Sequence, residues 1–153
     1  MPRSGTLLNA YGIEPLSAVC ARTVRFEEID PMGIMWHGRY ASWLEDGRET
    51  LGNRYGISYR DFYQHGFVTP IKKFSLDYVH PLIHDQTYEI HTFLLWSDSA
   101  RMDFQYSIMD KEGTIMTQGK TTQLFMTTNG KLLLDFPTFY QDFMARWKNG
   151  DLA

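Results

Sequence analysis

In the stretch Glu27 to Glu49, EEIDPMGIMWHGRYASWLEDGRE, an aspartate stands just ahead of a helix start. Asp30 is followed by a Pro-Met-Gly turn, by Ile34, Met35 and Trp36, and by His37-Gly38, and only then does a helical pattern begin. A helix N-terminus carries backbone N–H groups without partners and roughly half a positive charge, so it polarises a carbonyl oxygen or holds an oxyanion. A carboxylate beside it can attack that carbonyl or direct water at it, which is the minimum equipment for acyl transfer. As a nucleophile Asp30 would form a mixed anhydride; as a general base it would deprotonate the attacking water, and the sequence leaves both routes open. For an isolated Asp-Pro the ordinary reading is a turn-capping aspartate, and only the full spacing to Gly33, His37 and Tyr40 favours catalysis. His37 at the helix entrance can hydrogen-bond the carbonyl oxygen or fix Asp30, the plainer alternative being a histidine satisfied by backbone. The N–H groups of His37, Gly38 and Arg39 are the oxyanion-hole candidates, Gly38 because its bare backbone lets a ligand approach. Glu45, about two helical turns on, either orients water or is an ion-paired surface residue.

The elements that must position these groups are readable from periodicity. From Gly38 to Tyr55 the positions Tyr40, Trp43, Leu44, Gly47, Leu51 and Tyr55 recur at helical spacing, and Gly56 stands where a C-terminal stop is expected. Gly47 inside that stripe costs up to about 1 kcal/mol against Ala, which predicts that something packs closely there. Ahead of it, residues 1–17 read as an irregular lead-in and Val19 to Phe26 as a first strand. Ser58 with Asp61 marks a short second helix ending at Gly66. The period then changes to two. Phe74, Leu76 and Tyr78, then Tyr88, Ile90, Leu94 and Trp96, then Met102, Phe104, Tyr106 and Ile108 alternate with polar residues, and a run from Thr114 to Thr128 continues the pattern. Short turns at Ser97 to Ala100 and Asp110 to Gly113 make these strands antiparallel neighbours. Asn129-Gly130 marks a further turn, and Pro137 opens a terminal helix over 137–149. One strand, a buried helix and four more strands predict a single α+β domain spanning 1–153.

A chain of 153 residues, 43% hydrophobic and 15% aromatic, is large enough to bury a core without staples. Its net charge of −3 gives no reason to expect nucleic acid or an anionic membrane as a partner. A phosphate-bearing ligand must therefore be met by a local group of cations, for which Arg39, Lys72, Lys73, Arg101 and Lys120 are available. The single Cys20 excludes an internal disulfide and carries no nucleophile motif, and the start MPRSGTLLNAYGIEPLSA has no apolar h-region. Neither secretion nor a membrane span is predicted, and a cytoplasmic location is expected. His80 and His84 have a spacing that suits a metal on a helix, but Pro81 between them argues against a helix, so no metal site is predicted.

The residues Glu28, Asp30, Gly33, Trp36, His37, Tyr40 and Glu45 resemble the active-site motif of hotdog-fold acyl-CoA thioesterases of the 4-hydroxybenzoyl-CoA thioesterase type. That motif runs Asp-x-Asp-x-x-Gly-x-x-Tyr-His-x-x-Tyr ahead of an aromatic-rich helix containing Glu. The likeness extends more loosely over Val24 to Met126, including Asp77-Tyr78, Pro81 and Asp85. Trp36 stands where the family usually has Tyr, and Phe26 where some members place Tyr, so no phenolic role carries over to those positions. The resemblance implies the hotdog fold, an antiparallel sheet of about five strands wrapped around a long central helix. It also implies a homodimer or homotetramer in which two subunits share one continuous sheet. The activity it implies is hydrolysis of an acyl-CoA to a carboxylic acid and CoA, with Asp30 and His37 catalytic and Trp36, Gly38, Arg39 and Glu45 positioning the substrate. Lys72, Lys73, Arg101 and Lys120 would then meet the phosphates of CoA, and Met32, Met35 and Trp36 would line the acyl pocket. A thiolate leaving group needs no strong general acid, and no metal or redox cofactor is implied. The alternatives are a thioesterase for acyl groups on acyl carrier protein and a non-catalytic acyl-thioester binding protein.

Overall fold

The fold opens with β1, Leu16–Thr23, in a computed structural model that describes residues 11–152. The strand starts at Leu16 rather than Val19 because Leu16 and Ala18 already face the core, and it stops before Phe26. The chain leaves the sheet at Val24 and winds Phe26–Glu28 into a 3₁₀ turn closed by the Glu28 N–H on the Arg25 carbonyl (2.9 Å). A second 3₁₀ turn, His37–Arg39, leads into α1, Tyr40–Tyr55, which ends on Gly56 in the left-handed conformation at φ 74°. α2, Tyr59–Gln64, is capped as the sequence predicts, with the Asp61 N–H on Ser58 Oγ (3.1 Å) and the Ser58 N–H on Asp61 Oδ2 (2.9 Å).

The remaining strands are β2, Phe67–Val68, β3, Ile71–Tyr78, β4, Thr87–Leu95, β5, Arg101–Met109, β6, Ile115–Leu124, and β7, Met126–Thr127, before α3, Thr138–Lys148. The run from Thr114 to Thr128 is thus two strands, divided at the fully buried Phe125. β2 pairs with β7 alone, and the main sheet has the antiparallel order β1-β4-β5-β6-β3.

α1 lies across β1, β4 and β5, and Gly47 is the residue that lets it come close. A Cβ there would collide with Thr92 Oγ1 and stand 2.9 Å from Ile90 Cγ2, both on β4. Trp43, Leu44 and Leu51 of α1 join Ile90, Met102, Phe104 and Ile108 of the sheet in one buried core. Arg48 is buried with them, its guanidinium between the rings of Tyr59 and Phe104 at 4.8 Å from each, with Nε donating to Gln123 Oε1 and Nη2 to the Ile57 carbonyl, both at 2.9 Å. A second aromatic cluster closes one end, where Phe62 of α2 meets Phe139 of α3 at 4.9 Å and Trp96 meets Trp147 at 5.0 Å. The alternation that predicts a buried row on β3 meets an edge strand: Leu76 is half-buried against the core, but Ile71, Phe74 and Tyr78 stay exposed. No helix among the described residues is long and apolar enough to cross a membrane.

Candidate active site

Asp30 lies near the tip of a short hairpin that the sequence does not announce as one. Ile29 bridges Met35 in antiparallel register, the Asp30 N–H donates to the Ile34 carbonyl (2.9 Å), and the Trp36 N–H donates to the Glu28 carbonyl (2.8 Å). The tip turns through Gly33 at φ 80°, a conformation side chains resist, and the Gly33 N–H donates back to the Asp30 carbonyl (3.0 Å). The loop between β3 and β4 holds the hairpin from outside, through the Met35 N–H on the Leu82 carbonyl (2.8 Å) and the ring of His84 edge-on to Phe26 (5.8 Å). Because its stem closes at Trp36, the hairpin delivers Asp30 and the helix entrance at His37 as one hydrogen-bonded unit.

Within that unit Asp30 Oδ1 accepts the Met32 N–H (2.8 Å), which is the turn-capping role expected of an Asp-Pro. Its second oxygen has no hydrogen-bond partner among the described residues. The Arg39 N–H is committed to the Trp36 carbonyl (3.0 Å), whereas the N–H groups of His37 and Gly38 are unbonded among the described residues. Two of the three oxyanion-hole candidates are therefore free. The Trp36 ring, 48% exposed, lies tilted against His37 at 5.0 Å and over Gly38, where any Cβ would collide with it. His37 itself is exposed, and its carbonyl accepts the Tyr78 hydroxyl (3.2 Å). The Arg39 side chain is spent on the Glu27 carbonyl (3.3 Å).

The hairpin stands on Glu28, which is only 2% exposed. Its carboxylate accepts the Arg25 N–H (3.1 Å), Arg22 Nη2 (2.8 Å) and Trp43 Nε1 (3.0 Å), so it ties β1, the hairpin and α1 together. Burial pushes its pKa up, but the bonds from Trp43 and Arg25 and the Arg22 charge outweigh that and hold it below the ordinary glutamate value. Glu45 accepts the Tyr59 hydroxyl (3.3 Å) rather than a group of the hairpin. Burial, with Glu45 adding to it against Arg48, pushes the Tyr59 phenol up to about 12, so it remains a donor.

Of the five cations available to a phosphate-bearing ligand, Lys72, Lys73 and Arg101 line one cavity of about 390 Å³ beside β3. Arg101 is engaged there by Asp103, with Nε donating to Oδ2 at 2.8 Å. Lys120 lines a separate cavity of about 290 Å³ with Ser75, Asp77 and Gln118, on the sheet face away from α1. Sequence reasoning missed the anchoring done by Glu28, although the motif contains it, and the Tyr78 hydroxyl, although Asp77-Tyr78 lies in the matched region.

A helix laid on a five-stranded antiparallel sheet is the arrangement of a hotdog fold. Residues 24–147 match the family model of the Thioesterase-like superfamily, and the chain belongs to that family. A Bacillus subtilis protein provisionally named acyl-CoA thioesterase YneP is 25% identical over 125 residues, covering 82% of this chain and 91% of that one. The solved DHNA-CoA thioesterase of Staphylococcus aureus superimposes with a TM-score of 0.75 at 23% identity, over 90% of this chain and 97% of that one. The 1,4-dihydroxy-2-naphthoyl-CoA thioesterase Slr0204 of Synechocystis gives 0.73 at 15% identity, over 84% and 96%.

Proposed function

We propose that the protein is an acyl-CoA thioesterase, hydrolysing an acyl-CoA to a carboxylic acid and free CoA. The observation that carries the reading is the joining of the Asp30 carboxylate and the unbonded N–H groups of His37 and Gly38 in one hydrogen-bonded unit. A thioester oxygen resting on those N–H groups makes its carbon electrophilic. Asp30 then either takes a proton from water as the water attacks, or attacks the carbon itself to give an anhydride that water opens. In both routes the oxyanion collapses, the C–S bond breaks and its electron pair leaves as thiolate, which needs no strong acid because thiols ionise near pH 8.5 or so, about where model cysteine does. His37 assists by hydrogen-bonding the thioester oxygen or by fixing Asp30, and Trp36 and Met32 border the acyl group.

Lys72 and Lys73 are the phosphate-meeting cations of this reading, with Arg101 shared with Asp103, and Lys120 is peripheral. No metal or redox group is needed. The relatives described above are named for CoA esters, which favours CoA over a carrier protein. Association of two copies through β3 belongs to the same reading, since it would cover Ile71, Phe74 and Tyr78 and remove a sheet edge.

The test is thiol release from short, long and aromatic acyl-CoAs, and from the same acyl groups on acyl carrier protein, by native protein and Asp30→Asn. Hydrolysis of at least one acyl-CoA is expected, with kcat lower by about 10²-fold or more in the variant. Unimpaired turnover by Asp30→Asn would remove Asp30 from the chemistry, and turnover of carrier-protein esters alone would change the substrate.

A further inference from the structure

We propose that Tyr78 is a positioning residue for the oxyanion hole, acting from the edge strand through the peptide between His37 and Gly38. The inference rests on the reading above, in which the Gly38 N–H receives the thioester oxygen. Tyr78 ends β3, and its hydroxyl donates to the His37 carbonyl at 3.2 Å. Its ring is set by edge-on packing against Tyr40, with centroids 4.8 Å apart and planes at 88°. Tyr40 is buried at the start of α1, so the hydroxyl is referred to the core rather than to solvent, although Tyr78 itself is 53% exposed.

The carbonyl of His37 and the N–H of Gly38 belong to one planar trans peptide, and they point in opposite directions from it. Holding the oxygen therefore holds the N–H. A hydrogen bond donated to an amide oxygen also draws electron density through the amide and makes its N–H a stronger donor. At this peptide, which lies within the 3₁₀ turn His37–Arg39, the N–H is unbonded among the described residues, and a side chain at Gly38 is excluded by the Trp36 ring, so no Cβ fixes its direction. Tyr78 is the side chain whose hydrogen bond does so among the described residues. The assignment differs from a phenol acting on substrate: here the hydroxyl donates away from the N–H face.

The decisive variant is Tyr78→Phe, which keeps the ring on Tyr40 and removes only the hydroxyl. Expected results are a loss of about tenfold in kcat with KM unchanged, since a weakened oxyanion donor acts in the transition state, and a moved 15N resonance of the Gly38 amide in the free protein. A third readout uses Asp30→Asn loaded with a slowly hydrolysed acyl-CoA: the thioester carbonyl stretch should lie lower than in water, and adding Tyr78→Phe should move it part of the way back. The thermal midpoint of Tyr78→Phe verifies the fold before any of these is read.

Unchanged kcat overturns the proposal, whatever happens to the Gly38 resonance. A fallen kcat with an unmoved Gly38 resonance also overturns it, and assigns the phenol to the substrate instead. If the carbonyl stretch is not lowered even with Tyr78 present, the oxyanion reading itself fails and the role given to Tyr78 falls with it, which separates that failure from one confined to Tyr78.

Discussion

At Glu28 a carboxylate with almost no solvent holds three donors drawn from different parts of the chain: Arg22 from β1, Arg25 from the following turn and Trp43 from α1. Its folded pKa is depressed, so its contribution to stability is complete above the ordinary glutamate value and is lost as pH falls through the lower folded value. Glu28→Gln keeps the shape but removes the charge that Arg22 faces, and should lower unfolding free energy by about 1–3 kcal/mol at neutral pH. In denaturant titrations at several pH values, the gap between native and variant should narrow below about pH 4. A gap that stays constant into acid would deny Glu28 this role. The candidate site was legible in Asp30, His37 and Gly38 because their spacing lies within one short segment. The anchors were not legible, because Arg22, Trp43 and Tyr78 reach the hairpin through tertiary contacts that leave no local pattern.

α1 shows how a single missing side chain sets the distance between two elements. Gly47→Ala gains about 1 kcal/mol in helix propensity, but the added methyl must displace Thr92 Oγ1 and Ile90 Cγ2 in a close-packed layer. Overpacking of that kind costs about 1–3 kcal/mol, so net destabilisation is expected, seen as a lower thermal midpoint. A raised midpoint would mean that β4 yields easily. Helical and alternating periods revealed α1, the β4-β5-β6 meander and α3 because each buries one regular stripe. Arg48 escaped the same logic, since an arginine in a helix reads as solvent-facing and only the fold supplies Gln123, the Ile57 carbonyl and two rings to receive it. β3 misled for a different reason: its alternation is real and Leu76 turns toward the core on the face that α1 covers, but β3 is an edge strand, so Phe74 and Tyr78 on that same face remain exposed.

Across the whole molecule the strand order β1-β4-β5-β6-β3 has a consequence for how the chain reaches this state. Only β4, β5 and β6 are joined to their sheet neighbours by short turns; β1 waits for β4, and β3 waits for β6. Loop closure is slow when partners are distant in sequence, so the meander should nucleate and the two outer strands should dock late, with refolding on the millisecond-to-second scale, roughly, that non-local sheets show. In stopped-flow chevrons Ile108→Val on β5 should slow refolding, while Leu16→Ala on β1 should mainly hasten unfolding. The reverse pattern would place the nucleus at β1. Because Tyr78 lies on the late strand β3 and Arg22 on the late strand β1, the hairpin bearing Asp30 would acquire both of these contacts only in the final steps of folding, after most of the core has already been buried.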